Sequence, residues 1–343
     1  MILLLIIVLC VFLSFYLSCF DYEDLTQKRG AIVCFVLFSI FLRVLLKANL
    51  NNDYYLYYDF HIFHRPTSFL SFFINEPYLY SVYSFFNFFI PTKETVFLSM
   101  YWFNFAISTS FFVWLLLRED VEVYKKMIIF VCYYFVLTYV VLRNGPSYIL
   151  FALYFYYSFR NKKFNWVLLT PFLHISSSLL LITFFHNYKH YFRILIAIAV
   201  FLILFVLKLS PFLATFEEFQ TILSKINIYS KGMVSIGIMH KLFFAIIVLL
   251  YVLSFFYYKR KMLNPILVTT FLFYAITYFI NPAVAFRFSP YFIFAMMLYP
   301  LEEVFKNKNL RMLNLSTILF FPIFVYAMFN SHRNELFMMF LKN

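Results

Sequence analysis

Residues 96–117 read VFLSMYWFNFAISTSFFVWLLL, a run without a charged side chain that ends at Arg118. A helix needs roughly 20 apolar residues to cross the hydrocarbon core of a bilayer, so this run predicts a membrane-spanning helix. The whole chain has the same character, because 64% of its 343 residues are hydrophobic and 13% are charged, whereas soluble domains carry about 25% charged residues. This composition excludes a soluble globular enzyme.

Similar apolar runs recur on both sides of this one. The candidate spans are 2–20, 31–47, 96–117, 127–142, 146–159, 194–209, 239–258, 263–280, 288–304 and 312–329. Two further segments, 68–90 and 164–187, are ambiguous. Polar and proline residues such as Glu76 and Pro77 interrupt the first of them, so we predict that it does not span.

Basic residues cluster between the runs and set the orientation, because loops rich in Lys and Arg stay in the cytoplasm. Six clusters hold sixteen of the 28 basic residues: Lys28/Arg29, Arg118/Lys125/Lys126, Arg160/Lys162/Lys163, Lys189/Arg193, Lys259/Arg260/Lys261 and Lys306/Lys308/Arg311. All six clusters can lie on the same side of the membrane only if the segment 164–187 crosses the membrane an even number of times. The charge of +13 therefore indicates topology, and no nucleic-acid partner is expected.

The sequence thus predicts an all-α, polytopic integral membrane protein with about 10–12 transmembrane helices. One transmembrane domain covers 1–343, with a re-entrant or short-helix segment near 164–187 and a large outer loop near 48–95. A helix break is predicted around Thr170-Pro171 and His174. Irregular backbone at membrane depth is tolerated only where it faces protein or a water-filled cavity, so this break indicates a functional site.

Few ionisable side chains interrupt the apolar runs, and each is a candidate functional residue because charge at membrane depth is costly. Arg43 ends the second run, while Arg143 and Arg287 lie on predicted short outer turns. A guanidinium keeps its charge and offers a fork of N–H groups suited to phosphate; arginines that extend to the headgroups are the alternative. His174 is the sole histidine deep in an apolar run, where a structural histidine bonded to a neighbouring helix would also fit.

The predicted outer loop carries the acids Asp53 and Glu76 and several tyrosines, Tyr57 among them. A carboxylate there can hold sugar hydroxyls or accept a proton, and the tyrosines are either sugar-stacking faces or an interfacial aromatic belt. No metal site and no cofactor are predicted. His61 and His64 have no third ligand close by, and the four cysteines form no CxxC pair.

The order of these residues along the chain resembles the order of the motifs in the EpsG-like, Wzy-type polymerases of bacterial surface polysaccharides. The matching motifs are Leu42-Arg43, Asp53-Tyr54-Tyr55-Leu56-Tyr57, Glu76-Pro77-Tyr78, Leu142-Arg143-Asn144, Phe172-Leu173-His174-Ile175-Ser176 and Arg287-Phe288-Ser289-Pro290-Tyr291. Two details depart from the family. Gly-Pro-Ser follows Arg143-Asn144 where the family has R-Q-x-x-A, and Asn precedes Asp53 where the family has Gly.

The resemblance implies an O-antigen or surface polysaccharide polymerase in the bacterial inner membrane, with its active site facing the periplasm. Such an enzyme transfers a growing glycan from undecaprenyl pyrophosphate to a sugar hydroxyl of a lipid-linked repeat unit, without a metal. The implied catalytic residues are His174, Arg143, Arg287 and Glu76, with His174 or Glu76 as the base. The implied substrate-binding residues are Arg43, Asp53, Tyr57 and Tyr291. The implied partners are the lipid-linked donor and acceptor and the bilayer. Whether a regulator of chain length is a further partner stays open from the sequence.

Two other functions stay open from the sequence. A flippase for lipid-linked oligosaccharide would explain the many spans, although such transporters carry a hydropathy repeat that is not visible in this chain. A membrane-bound O-acyltransferase would also use a histidine at depth, and the arginines on outer turns argue against it.

Overall fold

The computed structural model describes residues 2–20, 22, 24–48, 54, 57–58, 77–204, 238–280 and 282–300. In these residues the chain consists of helices and the turns between them, without a strand, which confirms the all-α prediction for this part of the protein. Two helices, Lys93–Leu116 and Val123–Val140, are long and apolar enough to cross a membrane. Shorter apolar helices occupy Leu3–Ser18, Ile175–Phe185, Lys241–Phe256 and Pro265–Phe279.

The described α-helices overlap the predicted runs. They are α1 (Ile2–Ser18), α2 (Leu25–Leu45), α3 (Pro77–Phe89), α4 (Lys93–Leu116), α5 (Val123–Ile129), α6 (Gly145–Ser158), α7 (Thr170–Leu173), α8 (Tyr191–Leu204), α9 (Ile238–Tyr258), α10 (Pro265–Ile280) and α11 (Pro282–Leu298). Two π-helical stretches, Phe130–Tyr134 and Val136–Val140, continue α5. Short 3-10 helices cover Asn165–Leu169, Ile175–Phe185 and Lys259–Leu263. The predicted span 312–329 lies outside the described residues.

The chain forms two compact units. Met1–His64, Leu79–Ile149 and Met297–Asn343 make up the first, and Arg65–Tyr78 and Leu150–Met296 the second. The single transmembrane domain predicted for 1–343 stays a prediction.

An aromatic core joins four helices of the first unit. Phe15 of α1 stacks on Phe130 with ring centroids 4.0 Å apart, and Phe35 of α2 packs against Phe15 at 5.2 Å. Phe112 of α4 and Tyr134 meet edge to face at 4.9 Å. All five rings are fully buried, and edge-to-face and stacked pairs of this kind add stability beyond the area they bury.

A buried polar contact fixes α2 against the π-helical stretches. The Tyr134 hydroxyl donates to Ser39 Oγ at 2.5 Å, and the Tyr139 hydroxyl donates to the Ser39 carbonyl at 3.0 Å. Ser39 Oγ in turn donates to the Phe35 carbonyl at 2.7 Å. Buried hydroxyls need such partners, so this network sets the register between the two segments.

Lysines of the predicted cytoplasmic clusters are buried at the ends of these helices. Lys126 Nζ donates to the Leu116 carbonyl at 3.3 Å. This carbonyl is at the C-terminal end of α4, the negative end of the helix dipole, where a cation is stabilising. Lys125 Nζ lies 2.6 Å from Glu122 Oε2 and donates to the Tyr299 carbonyl at 3.1 Å. These contacts tie the start of α5 to α4 and to the segment after α11.

The second unit is also held by aromatic and hydroxyl contacts. The hydroxyls of Tyr191 in α8 and Thr269 in α10 are 2.6 Å apart. The Tyr251 ring of α9 stacks on Phe271 of α10 at 4.4 Å, and its hydroxyl donates to the Met262 carbonyl at 3.0 Å. Helices α8, α9 and α10 therefore pack as one group.

Candidate functional site

The first unit contains a cavity of about 390 Å³ between the end of α2 and the start of α4. Its polar and aromatic lining comes from Arg43, Lys47, Tyr54, Glu94 and Trp102, and the remainder of the lining is aliphatic. A volume of this size lies within the usual range of small-molecule sites, about 300–1,000 Å³. The cavity therefore has room for a ligand with one or two rings.

Arg43 lies in the last turn of α2, as predicted, and only 2% of it is exposed. Its guanidinium carbon is 5.5 Å from the ring centroid of Tyr101. Among the described residues, Nε and Nη1 have no hydrogen-bond partner, and the ion pairs found there involve Lys28 and Lys125 instead. An aromatic face stabilises a cation only partly. Arg43 therefore lines the cavity as a buried charge, and its Nε and Nη1 are themselves inaccessible.

Aromatic rings pack around the N-terminal turns of α4. The ring of Tyr54 stacks near Tyr58 and Tyr101, with centroids 5.5 and 6.0 Å away. Lys93 donates to the Tyr58 carbonyl and lies over the Tyr58 ring, 4.2 Å from its centroid. Tyr57, predicted to bind substrate, is also buried. Tyr54 and Tyr57 of this motif are therefore packed against the protein.

Arg143 lies in the irregular segment between Val140 and Gly145, which confirms the predicted turn. The preceding π-helix closes with a bond from the Val141 N–H to the Val136 carbonyl at 2.8 Å. Arg143 is partly exposed, and its Nε lies 3.5 Å from Asn144 Oδ1. π-Helical turns occur frequently at functional sites, and this stretch ends at Val140, three residues before the candidate arginine.

Asn104 of α4 holds the end of the π-helical span. Its Nδ2 donates to the carbonyls of Leu137 and Val141, at 2.8 and 3.1 Å, and carbonyls near a helix end lack intrahelical donors. A Cβ placed on Gly145 would lie 3.4 Å from Asn104 Oδ1. Asn104 therefore lies close to both ends of the segment that carries Arg143.

In the second unit, His174 lies at the break predicted for 164–187. It separates α7 from the 3-10 helix Ile175–Phe185 and has an extended backbone, with φ −159° and ψ 121°. Ser177 Oγ donates to the His174 carbonyl at 2.6 Å. His174 is buried, with 3% of the residue exposed. The break is thus a fixed feature of the fold around a buried imidazole.

The position of Arg287 differs from the prediction of a short outer turn. Pro282 begins α11, so Arg287 lies inside this helix. Proline is favoured at the first helical position because its missing N–H has no intrahelical partner there, and the helix therefore starts earlier than the apolar run suggested. Tyr291, four residues on, is 1% exposed and meets the Phe151 ring edge to face at 5.1 Å.

The structure brings Arg43 and Tyr54 together on one cavity, and it places Arg143, His174, Arg287 and Tyr291 as described above. Asp53 and Glu76 lie outside the described residues. Three lining residues, Lys47, Glu94 and Trp102, were missed from the sequence. The available signal was spacing, because Glu94, Leu98 and Trp102 recur every four residues and so share one face of a helix.

His186, at the end of the 3-10 helix, provides a test of pH dependence. Its Nδ1 lies 3.0 Å from the Thr183 carbonyl and 3.3 Å from the Tyr154 hydroxyl. Burial lowers the pKa of His186 below its ordinary value of 6.5, so protonation costs more in the folded than in the unfolded state. Stability should be full above pH 6.5 and should decline as the pH falls below it. In circular dichroism melts, the melting temperature of the wild-type protein should be lower at pH 5.5 than at pH 7.5. His186→Gln should reduce this difference in melting temperature, while His190→Gln, at an exposed position, should leave it unchanged. An unchanged difference in His186→Gln would contradict this assignment.

Comparisons of the sequence with known protein families, characterised proteins and solved structures find no match. The chemistry of the candidate residues is therefore the basis for a functional proposal.

Proposed function

We propose that the protein is a multi-pass enzyme of the bacterial inner membrane that polymerises a surface polysaccharide such as O-antigen. It transfers a growing glycan from undecaprenyl pyrophosphate to a sugar hydroxyl of a lipid-linked repeat unit, at the periplasmic face. The observation that carries the proposal is that Arg143 and His174, from two motifs of the polymerase family, each coincide with a break between helices. Irregular backbone inside an apolar segment, as at His174, is tolerated at membrane depth only where it is buried in protein or lines a water-filled cavity, and Arg143 lies in the turn between two apolar segments.

The multi-pass topology rests on the distribution of apolar helices. The long helices Lys93–Leu116 and Val123–Val140 and the shorter ones beside them alternate with the basic clusters of the sequence. About 10–12 crossings with those clusters in the cytoplasm satisfy the positive-inside rule.

The chemistry needs two functions from the protein. The acceptor hydroxyl oxygen bonds to the anomeric carbon while the bond from that carbon to the pyrophosphate breaks, so negative charge develops on the leaving group. Arg143 and Arg287 stabilise this charge. The proton of the acceptor hydroxyl passes to a base, for which His174 is preferred to Glu76 because imidazole is neutral over much of the physiological range. Asp53, Tyr57, Arg43 and Tyr291 position the substrates.

The proposal is tested in a strain that lacks the gene, by gel analysis of its surface polysaccharide. The deletion should leave a single repeat unit attached, and the wild-type gene should restore a ladder of longer chains. His174→Ala should reduce polymer formation by about 10²- to 10⁴-fold, the usual contribution of a general base. His190→Ala, in an exposed turn, is the matched control and should restore the ladder.

Two outcomes would overturn these assignments. A deletion strain with no repeat unit at its surface would place the protein before polymerisation, as expected for a flippase. A normal ladder from His174→Ala at matched membrane abundance would exclude this histidine as the base.

A further inference from the structure

The second unit carries basic side chains and, in the part of it that the structure describes, no acidic ones. The sequence has no Asp or Glu between positions 123 and 216, and the described residues of this unit contain none either. Exposed lysines and arginines lie at its helix ends, in the segments 162–163, 189–193 and 259–261. Charge of one sign in such an arrangement attracts a partner of the opposite sign.

The first of these segments is held in a fixed turn at the end of α6. Asn161 has a left-handed backbone, with φ 56°, a conformation that asparagine tolerates at the end of a helix. The Lys162 N–H then donates to the Tyr157 carbonyl at 2.9 Å, and the Phe164 ring stacks on Tyr157 with centroids 5.4 Å apart. The two exposed lysines, Lys162 and Lys163, therefore project from a defined position beside α6.

Exposed aromatic side chains lie beside the basic segments. Trp166 is 66% exposed three residues after Lys163, and Phe256 is 73% exposed three residues before Lys259. Tyr188 is exposed directly before the second segment. Cations and aromatic rings occur together at the membrane interface, where Trp and Tyr lie at the level of the headgroups and Lys side chains extend to the phosphates. This composition therefore favours a lipid surface over a partner dissolved in water.

The 3-10 helix after the first basic segment turns apolar side chains outward. Val167 is buried, whereas Trp166, Leu168 and Leu169 are exposed. Such side chains enter the boundary between headgroups and acyl chains, while basic residues beside them remain at the headgroups. A basic residue close to an anionic membrane surface strengthens the attraction by about 5-fold, so the lysines select anionic over zwitterionic lipids.

Tyr154 of α6 connects the first basic segment with the second. Its hydroxyl donates to the Thr183 carbonyl at 2.6 Å and lies 3.3 Å from His186 Nδ1. Tyr154 is in the last turns of α6, and His186 begins the turn that leads to 189–193. The two basic segments therefore belong to neighbouring ends of helices.

We propose that the segments 162–169 and 188–193 form a docking surface for anionic phospholipids. Their lysines and arginine bind the headgroup phosphates, while Trp166 and the two leucines after it contact the acyl chains. The inference rests on the basic segments and on the apolar side chains exposed beside them. It does not depend on the proposed function.

Quenching of Trp166 fluorescence by brominated lipids tests this surface. The chain has 3 Trp, so Trp102→Phe and Trp114→Phe leave Trp166 as the only one in the full-length protein, reconstituted in nanodiscs. All discs hold equal amounts of phosphatidylglycerol and phosphatidylcholine, and only the lipid that carries brominated acyl chains differs. Brominated phosphatidylglycerol should quench Trp166 as if it were enriched about 5-fold or more around this residue over phosphatidylcholine.

A double variant assigns the preference to the basic turn. Lys162→Gln with Lys163→Gln should reduce the enrichment of phosphatidylglycerol by about 2-fold or more, and salt should reduce it in the parent because it screens exposed charges. The matched control, Lys47→Gln with Lys241→Gln, also removes two exposed lysines. Because these lie outside the proposed surface, the control should keep the preference of the parent.

Three outcomes would overturn the proposal. The first is equal quenching of the parent by the two brominated lipids, and the second is an unchanged preference in the double variant. The third is quenching of Trp166 by aqueous iodide and by neither brominated lipid, which would place the segment in water, as expected for a soluble acidic partner.

Discussion

Replacing Arg143 with alanine should reduce polymer formation by about 10²- to 10³-fold, the loss expected when one group that stabilises a developing anion is removed. The guanidinium lies in the turn after the π-helical span and is partly exposed. Its Nε lies 3.5 Å from Asn144 Oδ1, which is long for a hydrogen bond, and because the side chain is partly exposed we expect its removal to affect chemistry more than folding. The measurement is the polysaccharide ladder in the complemented deletion strain, at matched membrane abundance of each variant.

Arg143→Lys is the informative companion. Lysine keeps the charge but loses the planar fork that matches phosphate oxygens, so we expect an intermediate ladder. Arg160→Gln serves as the control, because this arginine stacks on Tyr156 with its guanidinium carbon 3.7 Å from the ring centroid and has no proposed catalytic role. Full-length ladders from Arg143→Ala would exclude a role at the leaving group.

Replacing Asn104 with leucine should destabilise the first unit. The substitution removes both donors of Nδ2, and although Ser108 Oγ still reaches the Leu137 carbonyl at 3.1 Å, the Val141 carbonyl loses its side-chain donor. An unsatisfied buried acceptor costs about 1–3 kcal/mol, and we expect the lower end of this range because the Val141 contact is partly buried and Asn104 Oδ1 is itself buried without a hydrogen-bond partner. The same variant should weaken the polymer ladder, because the segment that carries Arg143 loses its contact with α4.

Thermal unfolding in detergent can be followed with a thiol-reactive dye. The dye reacts with Cys132, which is buried in the first π-helical stretch, once unfolding exposes its thiol. A background with Cys10→Ser, Cys19→Ala and Cys34→Ser leaves it as the only cysteine. Ser108→Ala is the matched control, since Asn104 retains its donors there and the expected loss is smaller. A melting curve of Asn104→Leu that coincides with the parent would show that these hydrogen bonds do not stabilise the segment.

Most helices were predictable because their signal is local. Runs of apolar residues between basic clusters overlap the observed helices, and the break at His174 was predicted from Thr170-Pro171 and the polar residues that follow. The start of α11 was missed because an apolar run does not indicate where a helix begins when Pro282 already provides a suitable first residue. Arg287 consequently lies inside a helix.

The π-helical stretches and the cavity were not predictable from the sequence. Apart from Thr138, residues 130–140 are apolar or aromatic, so their pattern does not distinguish an α-helix from a π-helix. The cavity depends on two segments that are distant in the chain, the end of α2 and the first turns of α4. Arg43 was selected by its charge, whereas Glu94 and Trp102 acquire their significance only from the tertiary packing.

The two π-helical stretches also bear on how the gene can change. A π-helical turn holds one residue more than an α-helical turn, so the loss of a single codon between positions 130 and 140 would keep the reading frame and the apolar character of the span. Closing the shortened turn with an i→i+4 bond would absorb the loss, so the direction of Arg143 would change far less than it would after a deletion in a regular α-helix, which turns the following residues by about 100°. Single-codon deletions should therefore be tolerated better between positions 130 and 140 than in the regular α-helices, where the loss of one residue changes the face of every residue that follows.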